Sequence, residues 1–223
     1  MTLQIIIPKG GTKPLVISKI VPDHPLEFTH WTDGKSEESM LPDRERLFKS
    51  FSEDLLFWTG EWEIVQSINT SGTDTIEERW SDARCTGDIL KEDYYRAIAE
   101  GMADNAEKLL YLRKAIWWAE NDPFRHGETK EPQAHDRQNL EQILKMMDLS
   151  NPDDLLCAAE IHRELSQFSN ALSLLEREIP DEHQMLSQAI RERALAEDPA
   201  VVPLAVKTPW SNPTKHPKTH SLT

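Results

Sequence analysis

The sequence predicts an α+β protein in which a small β-rich N-terminal domain precedes an all-α, repeat-like helical region. Residues 1–92 are rich in β-branched and aromatic residues interrupted by Gly and Pro, which is typical of short strands joined by turns. From Asp93 onward, apolar residues recur every three or four positions, which is typical of helices. We therefore place the domain boundary between residues 92 and 93 and extend the helical domain to residue 202.

The N-terminal domain opens with a predicted β-hairpin. Leu3, Ile5 and Ile7 fall at alternate positions, and the Gly- and Pro-rich stretch 8–14 separates them from the apolar run Leu15–Val21. A longer strand is predicted over Trp62–Ile68, with one face buried, because its side chains also alternate. Turn residues then lead to a predicted return strand over Ile76–Trp80.

The helical domain divides at its breakers. The first apolar stripe ends where Asn121-Asp122-Pro123 is expected to stop the helix. Ser150 or Asn151 is suited to cap a later helix, with Pro152 in its first turn. The expected helices beyond the first are 136–148, 152–165, 168–178 and 182–197, and the polar segment 125–135 is expected to be an exposed loop.

Residues 203–223 form a predicted disordered tail. They contain four prolines, three lysines and no acidic residue, and no apolar period that could offset the entropy lost on ordering.

Composition limits the classes of partner. Acidic residues outnumber basic ones by 39 to 25, and the resulting net charge of -14 would repel a phosphate backbone, which argues against nucleic acid. No apolar run approaches the ~18 residues that a membrane helix needs, so no membrane contact is expected. The N-terminus lacks the features of a secretory signal, and Cys85 and Cys157 are expected to stay reduced in the cytoplasm.

A turn in the second half has the spacing of a known repeat. The turn has a small residue at Ser166, an aromatic residue at Phe168 and an alanine at Ala171. Four further positions of the repeat lie in the preceding helix, at Leu155, Ala158, Ala159 and His162. This pattern resembles a tetratricopeptide repeat, in which His162 replaces the usual tyrosine. The resemblance implies two helices packed closely at small residues and a surface that binds peptides. An ordinary helical hairpin within a bundle is the alternative.

Three segments of the first half carry a second resemblance. His30–Lys35, Met40–Pro42 and Leu55–Trp58 together resemble uncharacterised bacterial proteins that combine a zinc-ribbon-like domain with a helical repeat region. In those relatives a Cys-x-x-Cys pair precedes the aromatic pair, whereas Ser50 and Glu53 stand at those positions here. The resemblance therefore implies a ribbon that has lost its metal ligands, and we predict no metal and no cofactor.

Residues 43–58 leave a second interpretation open. Leu47, Phe48, Phe51 and Leu55 would also line one face of a helix, so the segment is predicted to be either helix or ribbon.

The candidate binding residues are mainly aromatic. Trp117 and Trp118 are adjacent on a predicted helix, so their side chains point about 100° apart. The two rings are either both buried in the core or, with one ring exposed, an anchor for a peptide. The candidate partner-binding residues are Trp31, Asp33, Trp117, Trp118, Phe124 and His162.

The leading functional hypothesis is a non-catalytic protein-interaction module or adaptor. No nucleophile elbow, phosphate loop or dinucleotide fingerprint occurs, and the acidic charge would steer a basic partner. An acidic inhibitor of a basic protein is one specific version. The alternative is an enzyme of unknown class whose carboxylate and histidine site would include His30, Asp33 and Glu61.

Overall fold

The computed structural model of the chain describes residues 2–19, 29–37, 46–50, 52–69, 74–132 and 134–204. It confirms the predicted α+β class, with a curled β-sheet in the N-terminal half and helices in the C-terminal half. The strands are Thr2–Pro8 (β1), Leu15–Lys19 (β2), Thr29–Trp31 (β3), Ser36–Glu37 (β4), Leu47–Ser50 (β5), Leu56–Trp58 (β6), Trp62–Asn69 (β7), Arg84–Gly87 (β8) and Pro203–Leu204 (β9). The helices are Lys91–Ala99 (α1), Ala106–Arg125 (α2), Arg137–Met146 (α3), Pro152–Glu164 (α4), Phe168–Leu174 (α5) and Gln184–Leu195 (α6).

The larger sheet has six strands in the order β6-β5-β8-β2-β1-β7. The predicted hairpin is confirmed, since β1 and β2 pair antiparallel with Ile5 opposite Val16. The predicted return strand over Ile76–Trp80 is wrong: residues 78–80 form a 3₁₀ turn, and the amide of Gln66 bonds the backbone of Thr75 and Glu77. The next strand along the chain is instead β8, which pairs parallel with β2.

Strands β5 and β6 form a hairpin, so the helical interpretation of this segment is wrong for the described residues. Strands β5 and β6 pair antiparallel, with Phe48 opposite Phe57 and their rings 5.8 Å apart in a stacked arrangement. Trp62 lies edge-on to both rings. Cross-strand aromatic contacts of this kind stabilise a sheet, and they would be lost if the segment were helical.

Helix α2 continues past the position where it was predicted to stop. Pro123 lies inside the helix, which ends at Arg125. Proline removes one donor from the helical ladder, the one that would bond the Ala119 carbonyl. The helix still continues for two residues, and the Arg125 side chain folds back to donate a hydrogen bond to the Trp118 carbonyl. The additional turn is important because it carries Arg125 into the interior.

The helix pair α4 and α5 begins as the sequence indicates. Asn151 caps α4 by accepting hydrogen bonds from Asp153 and Asp154, and Pro152 lies in the first turn. Helix α5 packs against α4 but ends at Leu174, four residues before the predicted end. Ala159 of α4 and Ala171 of α5, which we call the seam alanines, are both completely buried.

Sheet and helices share a core. Leu47 and Trp58 of the β5–β6 hairpin are buried in one cluster with Ala97 of α1 and Leu112 of α2. Trp58 also donates its indole N–H to the Met102 carbonyl at 2.9 Å. The two predicted domains are therefore joined by continuous apolar packing rather than by a linker.

The start of the predicted disordered tail is ordered. Pro203 and Leu204 form β9, which pairs antiparallel with β3 in a three-stranded sheet of order β4-β3-β9. This pairing supplies hydrogen-bond partners that the tail's own sequence does not reveal. Residues 205–223 and Met40–Pro42 lie outside the described residues.

Enlarging a seam alanine tests the close packing of α4 and α5. We expect Ala159→Leu to lower the free energy of unfolding by about 1–3 kcal/mol, because the added methylenes have no space between the helices. The matched control is Ala99→Leu at an exposed position of α1, with an expected change below about 0.5 kcal/mol. Urea denaturation followed by tryptophan fluorescence measures both, and equal effects would contradict close packing at the seam.

Candidate functional site

The turn between β3 and β4 inserts a carboxylate into the helical half. Gly34 adopts a φ of +77°, which L-residues rarely reach, and the Asp33 carboxylate accepts a hydrogen bond from the Lys35 amide. Asp33 is only 4% exposed. An ionised carboxylate at such a depth is unfavourable unless it is paired, so its partners determine whether the turn can remain there.

Helix α2 supplies those partners. Arg125 forms an ion pair with Asp33 in which both side chains are fully buried, and Asn121 donates to the same carboxylate oxygen at 2.9 Å. Trp118 donates its indole N–H to the Asp33 carbonyl, and the Arg125 guanidinium lies 5.0 Å from the centre of the Trp31 ring. Burial raises the pKa of Asp33, while the positive charge of Arg125 opposes that rise.

Glu164, at the end of α4, is the second centre of hydrogen bonding. Its carboxylate accepts the indole N–H of Trp117 at 2.7 Å and an amide N–H of Asn121 at 3.2 Å. His135 Nε2 lies 2.9 Å from the same carboxylate. Asn121 therefore connects Glu164 to Asp33 and joins α4 to the β3–β4 turn through α2.

His135 lies between two carboxylates. Its Nδ1 atom is 3.5 Å from Glu120 Oε2, and its side chain is 4% exposed. The exposed loop predicted for residues 125–135 is therefore wrong at both ends, since Arg125 is buried as well. Burial disfavours the charged imidazolium, but the two carboxylates outweigh that effect and raise the pKa of His135 to about 9.

A second ion pair lies beside this group. Arg163 donates two hydrogen bonds to Glu160, at 2.7 and 2.6 Å, and a third to the Asp198 carbonyl. The Thr32 hydroxyl accepts from the Val202 amide, which ties the segment before β9 to the turn. Burial raises the pKa of Glu160, and Arg163 opposes the rise.

These side chains form what we call the buried ionic network. It contains four carboxylates, three basic side chains and one amide, contributed by the β3–β4 turn, α2, the α2–α3 loop and α4. Its members are Asp33, Glu120, Asn121, Arg125, His135, Glu160, Arg163 and Glu164.

The network links four parts of the chain to one another. Each of its charged groups faces an opposite charge inside the protein. Two surface clefts, of about 320 and 380 Å³, are lined by other residues. Within the described residues, no group of three or more His, Cys, Asp or Glu side chains is placed to hold a metal ion. General acid or base catalysis needs a substrate next to the titrating group. No side chain of the network lines either of these two clefts.

Most of the sequence-predicted binding residues converge on this network. Trp117 is 0% exposed, so it is a core residue and presents no surface to a partner. Asp33 is buried, and Trp31 and Trp118 are half-buried against it. The remaining two, Phe124 and His162, are half-buried, and His162 Nδ1 lies 2.6 Å from the side-chain oxygen of Gln167.

The three residues suspected of catalysis have separate partners. His30 lies on β3 with its Nδ1 2.6 Å from the Ser36 hydroxyl, while Asp33 pairs with α2. Glu61 belongs to the β6–β7 turn of the other sheet and accepts the Trp58 amide N–H at 3.1 Å. These hydrogen bonds join each of the three side chains to a different partner.

The sequence contains a pattern that indicates the network residues absent from the predicted candidates. Trp117, Asn121 and Arg125 recur every four residues, as do Glu160 and Glu164, so each set lies along one helix face. The polar members of the two sets, Asn121, Arg125, Glu160 and Glu164, lie beside apolar residues that face the core. A polar residue on such a face is an indication that another element supplies its partner.

Comparison of the chain with protein-family models, with curated proteins and with solved structures finds no match. Among the described residues, no helix has both the length and the apolar character needed to cross a bilayer.

Removing one member of the Asp33–Arg125 pair tests its structural role. We expect Asp33→Ala to lower the free energy of unfolding by up to about 3–5 kcal/mol, because the buried Arg125 then keeps only the partly exposed Asp122 carboxylate as a counter-charge. The double variant with Arg125→Met removes both charges and should recover part of that loss. Asp82→Ala, at an exposed position, is the control. Chemical denaturation measures all three, and a double variant less stable than either single variant would contradict the pairing.

The pH dependence of stability tests His135. Its pKa is about 9 in the folded protein against 6.5 for a free imidazole, so its contribution is complete below pH 6.5 and lost as the pH rises through 9. The loss amounts to about 3 kcal/mol at most.

Denaturation curves from pH 6 to 10 should therefore show a fall for the wild type that His135→Gln lacks. His183→Gln, outside the network, is the control and should follow the wild-type profile. The role of His135 is refuted if both variants keep the full fall in stability.

Proposed function

We propose that the chain is a non-catalytic protein-interaction module that binds a basic protein in the cytoplasm. The observation that carries this proposal is the net charge of -14. A basic partner approaching such a surface is attracted over roughly one Debye length, which favours fast association with partners of complementary charge.

The negative charge is concentrated on the surface. The buried ionic network pairs four carboxylates with three basic side chains, among them His135, whose pKa of about 9 keeps it protonated near neutral pH. The buried ionic network therefore accounts for little of the excess negative charge. Most of the unbalanced carboxylates remain in contact with solvent, where a partner could reach them.

One end of the helical half is a specific candidate for the acidic surface. The α3–α4 turn and the segment after α5 meet there, because Arg177 donates to the Leu149 carbonyl at 3.0 Å. The exposed carboxylates at this acidic end are Asp148, Asp153, Glu176, Glu178, Asp181 and Glu182. The resemblance of α4 and α5 to a peptide-binding repeat, which we retain as part of the proposal, supports the same region.

A cytoplasmic location is also part of the proposal. Cys85 and Cys157 are both free thiols, as expected in a reducing compartment.

Salt and charge reversal test the proposal together. Partners captured by the full chain at about 0.05 M salt should be lost at about 1 M salt, where the Debye length is only about 3 Å. Reversing two carboxylates at the acidic end, with Glu178→Lys and Glu182→Lys, should reduce capture at low salt.

The matched control carries the same change of charge elsewhere, with Asp82→Lys and Asp88→Lys at exposed positions of the N-terminal half. Quantitative mass spectrometry compares the captured proteins. Capture that is insensitive to salt, or no specific partner at low salt, would refute a basic partner. Equal losses for both variants would reject the acidic end as the surface.

A further inference from the structure

We propose that the outer edge of β7, at Trp62–Ile64, binds an extended segment of a partner protein as an added strand. The segment is one in which basic and apolar residues alternate. This inference rests on the proposed function, since it names the surface and the kind of segment through which a basic partner would be held.

Strand β7 is the last strand of the six-stranded sheet. It pairs with β1 on one side, and no described strand pairs with it on the other. It spans eight residues, whereas β6 at the opposite edge spans three that are all buried. An edge of this kind leaves backbone N–H and C=O groups available to another chain.

The register identifies which backbone groups face outward. The Lys9 amide donates to the Glu61 carbonyl, and the pairing then continues with Pro8 opposite Trp62 and Ile7 opposite Glu63. Hydrogen-bonded and non-hydrogen-bonded pairs alternate in an antiparallel ladder. The N–H and C=O groups of Trp62 therefore point away from β1, and so do those of Ile64.

The two faces of this edge differ in chemistry. On one face, Trp62 packs edge-on against Phe48 and Phe57, and next to it Ile64 is 49% exposed although it lies on the same side as core residues. On the other face, Glu61 is half-buried and Glu63 is exposed. Because side chains alternate along a strand, the incoming segment would place apolar residues over Ile64 and Lys or Arg residues near Glu63.

A cleft beside the edge offers room for the incoming side chains. It has a volume of about 380 Å³ and is lined by the ends of β1 and β7 and the β6–β7 turn, including Pro8, Gly60 and Trp62. Lys9 also lines it, alongside Glu61 and Glu63, so the charged lining is acidic by one unit. This balance favours a basic segment over an acidic one.

The binding edge is short, and its far limit is visible. The register between β1 and β7 shifts between Ile5 and Ile6, which leaves Val65 as the extra residue of a bulge. Beyond it, the Gln66 side chain bonds the backbone of Thr75 and Glu77, so this part of the chain lies next to β7 at that point. The added strand would therefore end near Ile64.

The experiment uses the full chain and two labelled peptides of equal composition. One alternates Lys and Val, and the other carries the same residues as a Lys block followed by a Val block. Fluorescence anisotropy at low salt should show that the alternating peptide binds at least about fivefold more tightly. Glu63→Lys should weaken that binding about tenfold or more, because it places a positive charge where the peptide lysines lie.

The matched control is Glu141→Lys at an exposed position of α3, which should change the affinity less than about twofold. Hydrogen exchange provides the second measurement, since the Trp62 and Ile64 amides should become protected only when the alternating peptide is bound.

Three results would overturn the strand-addition site: equal binding of the two peptides, equal affinity of the wild type and Glu63→Lys, or no protection of these amides. In each case a basic partner bound elsewhere would still be revealed by salt-sensitive capture. Loss of capture as well would refute the proposed function itself.

Discussion

The arrangement of the chain depends on the buried pair between Asp33 and Arg125. Taking either charge out of water alone is strongly unfavourable, and their attraction compensates only while the geometry is held. Asn121 and the Trp118 indole complete the coordination of the turn that carries Asp33. The β3–β4 turn therefore lies against the helical half in a position where the charge of Asp33 is satisfied.

Several distant parts of the chain are fixed by this constraint. The turn brings β3 with it, and β3 in turn pairs with β9, so the end of the described chain returns to its first third. The adjoining Thr32 hydroxyl and the Asp198 carbonyl link the segment before β9 to the same network. A hydrophobic contact could supply similar stability, but an ion pair is satisfied by fewer alternative arrangements.

Local pattern predicts the parts of this fold that local physics determines. The β1–β2 hairpin and the Asn151 cap of α4 follow from alternation, turn residues and capping, each of which acts over a few positions. The errors arise where a remote partner overrides local preference. Arg125, two residues beyond Pro123, pairs with the distant Asp33, and β3 gives Pro203 and Leu204 a strand to pair with. His135 is predicted to be exposed because its partners Glu120 and Glu164 are 15 and 29 positions away in the sequence.

The same division applies to two of the candidate binding residues. Trp117 and Asp33 both lie in the interior and have internal partners, because an indole N–H and a carboxylate each need a buried counterpart. A residue suited to binding another protein has the opposite signature, an interaction capacity that the chain itself leaves unused. Ile64 meets that description through its exposed side chain, and its outward backbone groups have no partner strand among the described residues. Inside the protein, charge determines how the chain is arranged, whereas on the surface the uncompensated charge is free to select a partner.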